Sequence, residues 1–244
     1  MSFERKTVVV VGATGVVGSG VVRKYLDAGA TVVGVSRQQD HLAKLKETIK
    51  IRPGEPFREA IAEFKDEASA AAAGAAIKER AGAPIDHVVS VQGFVAFAKA
   101  PTETPVSDLR HALDDGLFNN LLAAKALLPE LKGREGSTFT LVSGGLAHIP
   151  PPNPSLWLGT LKNASLNALT YALAAETAND KVRVNTICIH FGVAPVGGHK
   201  NQFGMDAEGD TLRLAPAFLG LARGAQKGQL LCLNTWADAE ALAR

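Results

Sequence analysis

The chain has 244 residues, of which 46% are hydrophobic and 20% charged, with a formal net charge of +2. That is enough apolar side chain for one sizeable core, and a balance this even, with no block of like charge, excludes a compositional case for nucleic acid or an acidic membrane as partner. No run approaches the ~18 apolar residues of a membrane span, and the opening MSFERKTVVVV is too charged, and its apolar part too short, for a secretory signal; a cytoplasmic protein is expected.

KTVVVVG is apolar throughout, the pattern of a strand buried on both faces. A helix from about Val17 to Ala28 follows, stopped by Gly29. TVVGVS reads as the second strand, and DHLAKLKETI as a helix with Asp40 as its N-cap. REAIAEF is a weaker third strand, DEASAAAAGAAIKERAG a surface helix, and DHVVSVQG a fourth strand. VSDLRHALDDGLFNNLLAAKALLPEL predicts one long helix, STFTLVSGG a fifth strand and SLWLGTLKNASLNALTYALAAETA another long helix. VRVNTICIHFG gives a sixth strand, APAFLGLAR a short helix and GQLLCLN the closing strand. Such alternation predicts an α/β fold: one doubly wound parallel sheet of Rossmann type, a single domain over residues 1–244. The Gly/Pro-rich segments HIPPPNPS and GVAPVGGHK follow the fifth and sixth strands, at the sheet edge where open α/β folds bind ligands.

VVVVGATGVVGSGVV sets Gly12, Gly15 and Gly18 between a strand and a helix. Glycines there permit a tight turn and let the backbone of Gly12, Thr14, Gly15, Val16, Val17 and Gly18 approach a pyrophosphate at the helix N-terminus. An acidic residue after the second strand would hold the adenosine ribose hydroxyls of NAD; VSRQQ has none, and the next is Asp40. Ser36 and the forked guanidinium of Arg37 suit a 2′-phosphate instead, which favours NADP(H) over NAD(H). Cys188 and Cys232 read as free thiols in strands, and the histidines show no metal-ligand spacing with Cys or Asp, so no metal is expected.

Further landmarks occur in a fixed order: EFKDEAS after the third strand, DHVVSVQG, KALLPEL, TLVSGG, VRVNTICIHFG and GQLLCLN. With the Gly-rich loop, they make the chain resemble the short-chain dehydrogenase/reductase family over nearly its whole length. The resemblance implies that Glu63 and Phe64 lie near the adenine, that Gln92 and Gly93 border the cofactor, and that His190 stands near the nicotinamide amide. It implies a small-molecule carbonyl or alcohol as substrate, and a homodimer or homotetramer, for which the stripe Ala164, Ala168, Ala172 and Ala175 leaves room.

The family's central helix carries a Tyr-x-x-x-Lys pair. Laid without gaps on GTLKNASLNALTYALAAE, the motif keeps Ala164, Leu166, Leu169, Thr170, Leu173, Ala174 and Glu176, but the Tyr falls on Gly159 and the Lys on Asn163. The family's helix Asn falls on Gly116, and Ser143 and Gly144 stand where two serines are common. Carbonyl reduction leaves an oxyanion that must gain a proton; a Tyr hydroxyl near a cation gives it, and a Ser hydroxyl steadies the oxygen. Ser143 remains a candidate for the second role. Lys162 and His148 are candidates for the first, each set against a plain solvated side chain; Lys162 lies about 100° around the helix from the family position. Two readings stand: an oxidoreductase with a non-standard proton donor, or a dinucleotide-binding protein without turnover, a redox sensor or scaffold.

Overall fold

The computed structural model describes residues 2–93, 97–151, 153–201 and 203–244. Valine-rich runs form a sheet of seven strands, β1 (Thr7–Val11), β2 (Thr31–Ser36), β3 (Phe57–Ile61), β4 (His87–Ser90), β5 (Thr138–Gly144), β6 (Arg183–Ile189) and β7 (Leu230–Leu233). All pair in parallel, in the order β3-β2-β1-β4-β5-β6-β7. The direction of winding reverses between β1 and β4, so a crevice opens at their carboxyl ends.

Side chains alternate across a strand, so each strand feeds two cores. Val8 and Val10 pack with α1 (Val16–Asp27), and with α7 (Thr211–Leu214), α8 (Pro216–Arg223) and α9 (Trp236–Leu242) at the other end of the chain. Val9 and Val11 face α3 (Glu67–Ala81), α5 (Asn119–Leu127) and α6 (Trp157–Glu176). The remaining helices, α2 (Gln39–Thr48) and α4 (Val106–Leu113), precede β3 and α5.

Several boundaries differ from the sequence reading. Gln38, not Asp40, is the N-cap of α2; Asp40 lies in the first turn, where its charge still complements the helix dipole. The third strand starts at Phe57 and ends at Ile61, because Glu63 and Phe64 already belong to the loop over the crevice. The single long helix expected after β4 is interrupted: Asp114–Phe118 is a π turn between α4 and α5. Its widened backbone is held by Asn120, whose Nδ2 donates to the Gly116 carbonyl at 2.7 Å while its Oδ1 accepts from Ser90 Oγ at 2.7 Å. Helix α9 is absent from the sequence reading, although Thr235 and Asp238 form a capping box at its start.

His87 lies under the sheet, stacked on Tyr25 and edge-on to Phe3, with Nδ1 2.9 Å from Thr138 Oγ1. Burial pulls its imidazole from 6.5 to about 4. The unfolded chain therefore binds the proton more readily than the folded one, and His87 favours folding above the unfolded value. That contribution should fall away as pH drops from about 6.5 toward about 4. Urea unfolding across this range should show the loss, and His87→Gln should flatten the slope.

Candidate functional site

Gly12 has φ +79°, and a Cβ there would come within 2.2 Å of the Val91 carbonyl oxygen. No L side chain fits, so β1 turns tightly against the end of β4. Gly18 packs as closely on the same turn, its Cβ position 2.2 Å from the Gly12 carbonyl oxygen. Gly15 is the N-cap of α1 and supplies no side-chain hydrogen bond, and the first turn holds no acidic residue. The N–H groups there are left to face a ligand, at the positive end of the helix dipole.

The crevice holds a pocket of about 550 Å³. Gly12, Thr14, Gly15, Ser36, Arg37, Glu63, Phe64, Gln92 and Gly93 all line it. Val16, Val17 and Gly18 do not; they form the start of α1 behind the loop. Arg37 is exposed at the rim and makes no ion pair among the described residues, with Lys65 and His41 on the same walls. The sequence reading missed these two, and Asp115 and Asn119 of the π-turn region, because no motif marks them. The Gly-rich turn at a helix N-terminus and the basic side chains on the pocket walls fit a nicotinamide dinucleotide.

Beyond Gly93 the structure departs from a solvated-lysine reading of Lys162. Its side chain is buried and runs across the face of Gly116: a Cβ at 116 would lie 2.0 Å from Lys162 Cγ and 2.2 Å from Cδ. Lys162 Nζ ends 3.4 Å from the position a Cβ would take on Gly93, a residue that lines the pocket. Burial lowers the ammonium from 10.5 to about 8, and the nearby Asp115 carboxylate acts in the opposite direction. The missing side chain at 116 is thus filled by a lysine from α6.

The other candidates sit elsewhere. Ser143 Oγ donates to Asn167 Oδ1 at 2.8 Å and lies 3.0 Å from Cys188 Sγ, buried beneath the sheet edge. Gly144, the next residue, faces the pocket side of α6, where Asn163 Nδ2 is 3.0 Å from its Cβ position. His148 and His190 stack on each other, centroids 5.3 Å apart, and do not line the pocket. Burial, and then His148, lower the His190 imidazole. Neither tyrosine is near: Tyr25 is buried with its hydroxyl donating to the Phe218 carbonyl at 3.2 Å, and Tyr171 is 56% exposed on the outer face of α6. Trp157 Nε1 donates to the Lys99 carbonyl at 3.1 Å, so the indole anchors the loop before α4. Of the HIPPPNPS loop, Pro152 lies outside the described residues.

The model of the short chain dehydrogenase family matches residues 6–200. A bovine protein named dehydrogenase/reductase SDR family member 4 is 27% identical over 185 residues, 76% of this chain and 65% of its own length. The chain thus spans just under two thirds of that relative. Among solved structures, a short-chain oxidoreductase of Pseudomonas aeruginosa PAO1, described as containing an atypical catalytic center, superposes with a TM-score of 0.79 at 22% identity, covering 96% of this chain and 97% of that one. A proposed D-mannonate oxidoreductase from Haemophilus influenza, with bound NAD, gives 0.80 at 15% identity, covering 98% and 96%. Among the described residues, no helix is long and apolar enough to cross a membrane.

Gly116→Ala puts a methyl group into the space of the Lys162 stem. Because the obstacle is a flexible side chain, the fold should survive and Lys162 should swing out. An NMR titration of the lysine side chains should then show its pKa rising from about 8 back toward 10.5.

Proposed function

The chain belongs to the short chain dehydrogenase family, and from that premise we propose that it is an NADP(H)-dependent oxidoreductase of a small carbonyl or alcohol, with Lys162 holding the transferable proton. The observation that carries this reading is the Lys162 side chain, buried over Gly116 with its Nζ beside Gly93, a residue that lines the crevice pocket. A bound nicotinamide dinucleotide supplies or accepts the hydride. The phosphate loop holds its pyrophosphate, and Ser36 and Arg37, with Lys65 nearby, hold the 2′-phosphate that distinguishes NADP from NAD. Family members use NAD(H) or NADP(H), and the basic adenosine end supports the second.

An acid with a pKa near the working pH is well matched to protonating a carbonyl oxygen during reduction. Lys162 can do this from Nζ, and its charge favours an oxyanion beside it. His148 is the weaker candidate, since its ring is turned toward His190 and Asn167. Assembly as a dimer or tetramer is supported by α6, whose Ala164, Ala168, Ala172 and Ala175 form an exposed stripe of small side chains.

One observation favours the second reading, a dinucleotide-binding protein without turnover: the Ser143 hydroxyl is already engaged in buried hydrogen bonds, which agrees with the ungapped register that sets Gly159 and Asn163 at the family's Tyr and Lys. Fluorescence titration and a screen of aldehydes and ketones separate the two. NADPH should bind more tightly than NADH, and Arg37→Ala should weaken NADPH alone; failure of both dinucleotides to bind sinks both readings. With a substrate found, Lys162→Met should cut kcat by about 10²–10⁴-fold. The acid must be protonated to act, so the rate of reduction should fall as pH rises through about 8, and Lys162→Met should lose that limb. Binding without turnover of any carbonyl would leave the second reading.

A further inference from the structure

At the carboxyl ends of β5, β6 and β7, outside the dinucleotide pocket, three metal-ligating side chains converge. His148 comes from the turn after β5, His190 directly follows β6, and Cys232 belongs to β7. Their ligand atoms all lie within 4.8 Å of one another, with His148 Nε2 3.8 Å from Cys232 Sγ. Around a tetrahedral zinc ion, bonds of about 2.0–2.1 Å to nitrogen and about 2.3 Å to sulfur separate the donor atoms by roughly 3.4–3.6 Å. The His148–Cys232 pair is close to that spacing. The remaining gaps close by side-chain rotation, since His148 is exposed on its loop and His190 and Cys232 are half-buried.

One observation points from proximity to a ligand, and a second shows what an ion would displace. First, His190 Nε2 is buried and has no hydrogen-bond partner among the described residues. A native fold rarely leaves such a nitrogen unsatisfied, because the lost solvation is not recovered. Second, His148 Nε2 already touches one polar neighbour. Ser143 donates to Asn167 Oδ1, which turns Asn167 Nδ2 toward His148 Nε2 at 3.2 Å. An ion bound at Nε2 takes the place of that amide contact, so Asn167 turns away when the site fills.

We propose that His148, His190 and Cys232 bind one divalent ion of the zinc class, with a fourth position left to water or another small oxygen donor. Two imidazoles and a thiolate select zinc over calcium or magnesium, which require oxygen ligands. Cys232 gives up its thiol proton on binding, so affinity rises with pH. None of the three residues lines the crevice pocket.

The test uses the full chain, in a reductant that keeps Cys188 and Cys232 as thiols, stripped with chelator and titrated with Zn²⁺ against a chromophoric chelator and separately with Co²⁺. One Zn²⁺ should bind per chain, and Co²⁺ should give tetrahedral ligand-field bands with a thiolate-to-cobalt charge-transfer band. Cys232→Ser should abolish that band. His148→Ala and His190→Ala should each weaken Zn²⁺ by roughly tenfold or more, since loss of outer-shell partners alone costs about 10–100-fold. Cys232→Ser is nearly isosteric and His148 lies on an exposed loop, so these two variants decide the matter even if His190→Ala does not fold. Equal Zn²⁺ stoichiometry and affinity in wild type and in H148A and C232S, or a Co²⁺ spectrum without charge transfer, would overturn the proposal.

Discussion

Val8 to Val11 lie at the middle of a parallel sheet, with β2 on one side, β4 on the other and helices over both faces. A strand so placed has no solvent-facing side, and parallel pairing forbids a short hairpin to its neighbour. Each connection must run back over a face of the sheet through a helix. The irregular backbone that follows each strand is therefore gathered at one edge, and the polar chemistry of the chain collects there. The dinucleotide pocket and the His148, His190 and Cys232 cluster are two products of this one constraint, on different strands of the same edge.

Within that edge, small residues decide which larger ones can act. Gly116 has no side chain, so the stem of Lys162 crosses the π turn and carries an ammonium toward Gly93. Asn120 donates to the Gly116 carbonyl in the π turn and ties it to β4 through Ser90. Gly144 and Gly145 play a similar part at the end of β5: the first gives space to Asn163, the second to His190, whose Cγ is 2.7 Å from the Cβ position of residue 145. A relative bearing larger side chains at these places could not hold Lys162 and His190 as they stand here.

Polar side chains at the ends of β5, β6 and β7 are tied to one another. Ser143 is drawn into a buried chain through Asn167 to His148. Cys188 and Cys232 are register partners on β6 and β7, so burial of one sulfur sits beside partial exposure of the other. Burial pushes the Cys188 thiol up to about 12, while the half-buried Cys232 Sγ lies 3.8 Å from His148 Nε2.

The sequence by itself determined the alternation of strands and helices, the tight Gly12 turn and the presence of tyrosine only at positions 25 and 171. These follow from local rules: a valine run has one buried solution, a glycine at positive φ admits no substitute, and a missing side chain stays missing wherever the backbone goes. The course of Lys162 was not legible, because its helical position predicts only a direction; what decided burial was the empty space over Gly116, brought in from another helix and widened by a π turn that no residue pattern announced. Likewise His148, His190 and Cys232 belong to three separate strand ends, far apart in the chain, and no spacing links them. Only the order of β5, β6 and β7 in the sheet brings their ligand atoms together, because neighbours in a parallel sheet share an edge whatever the length of chain between them.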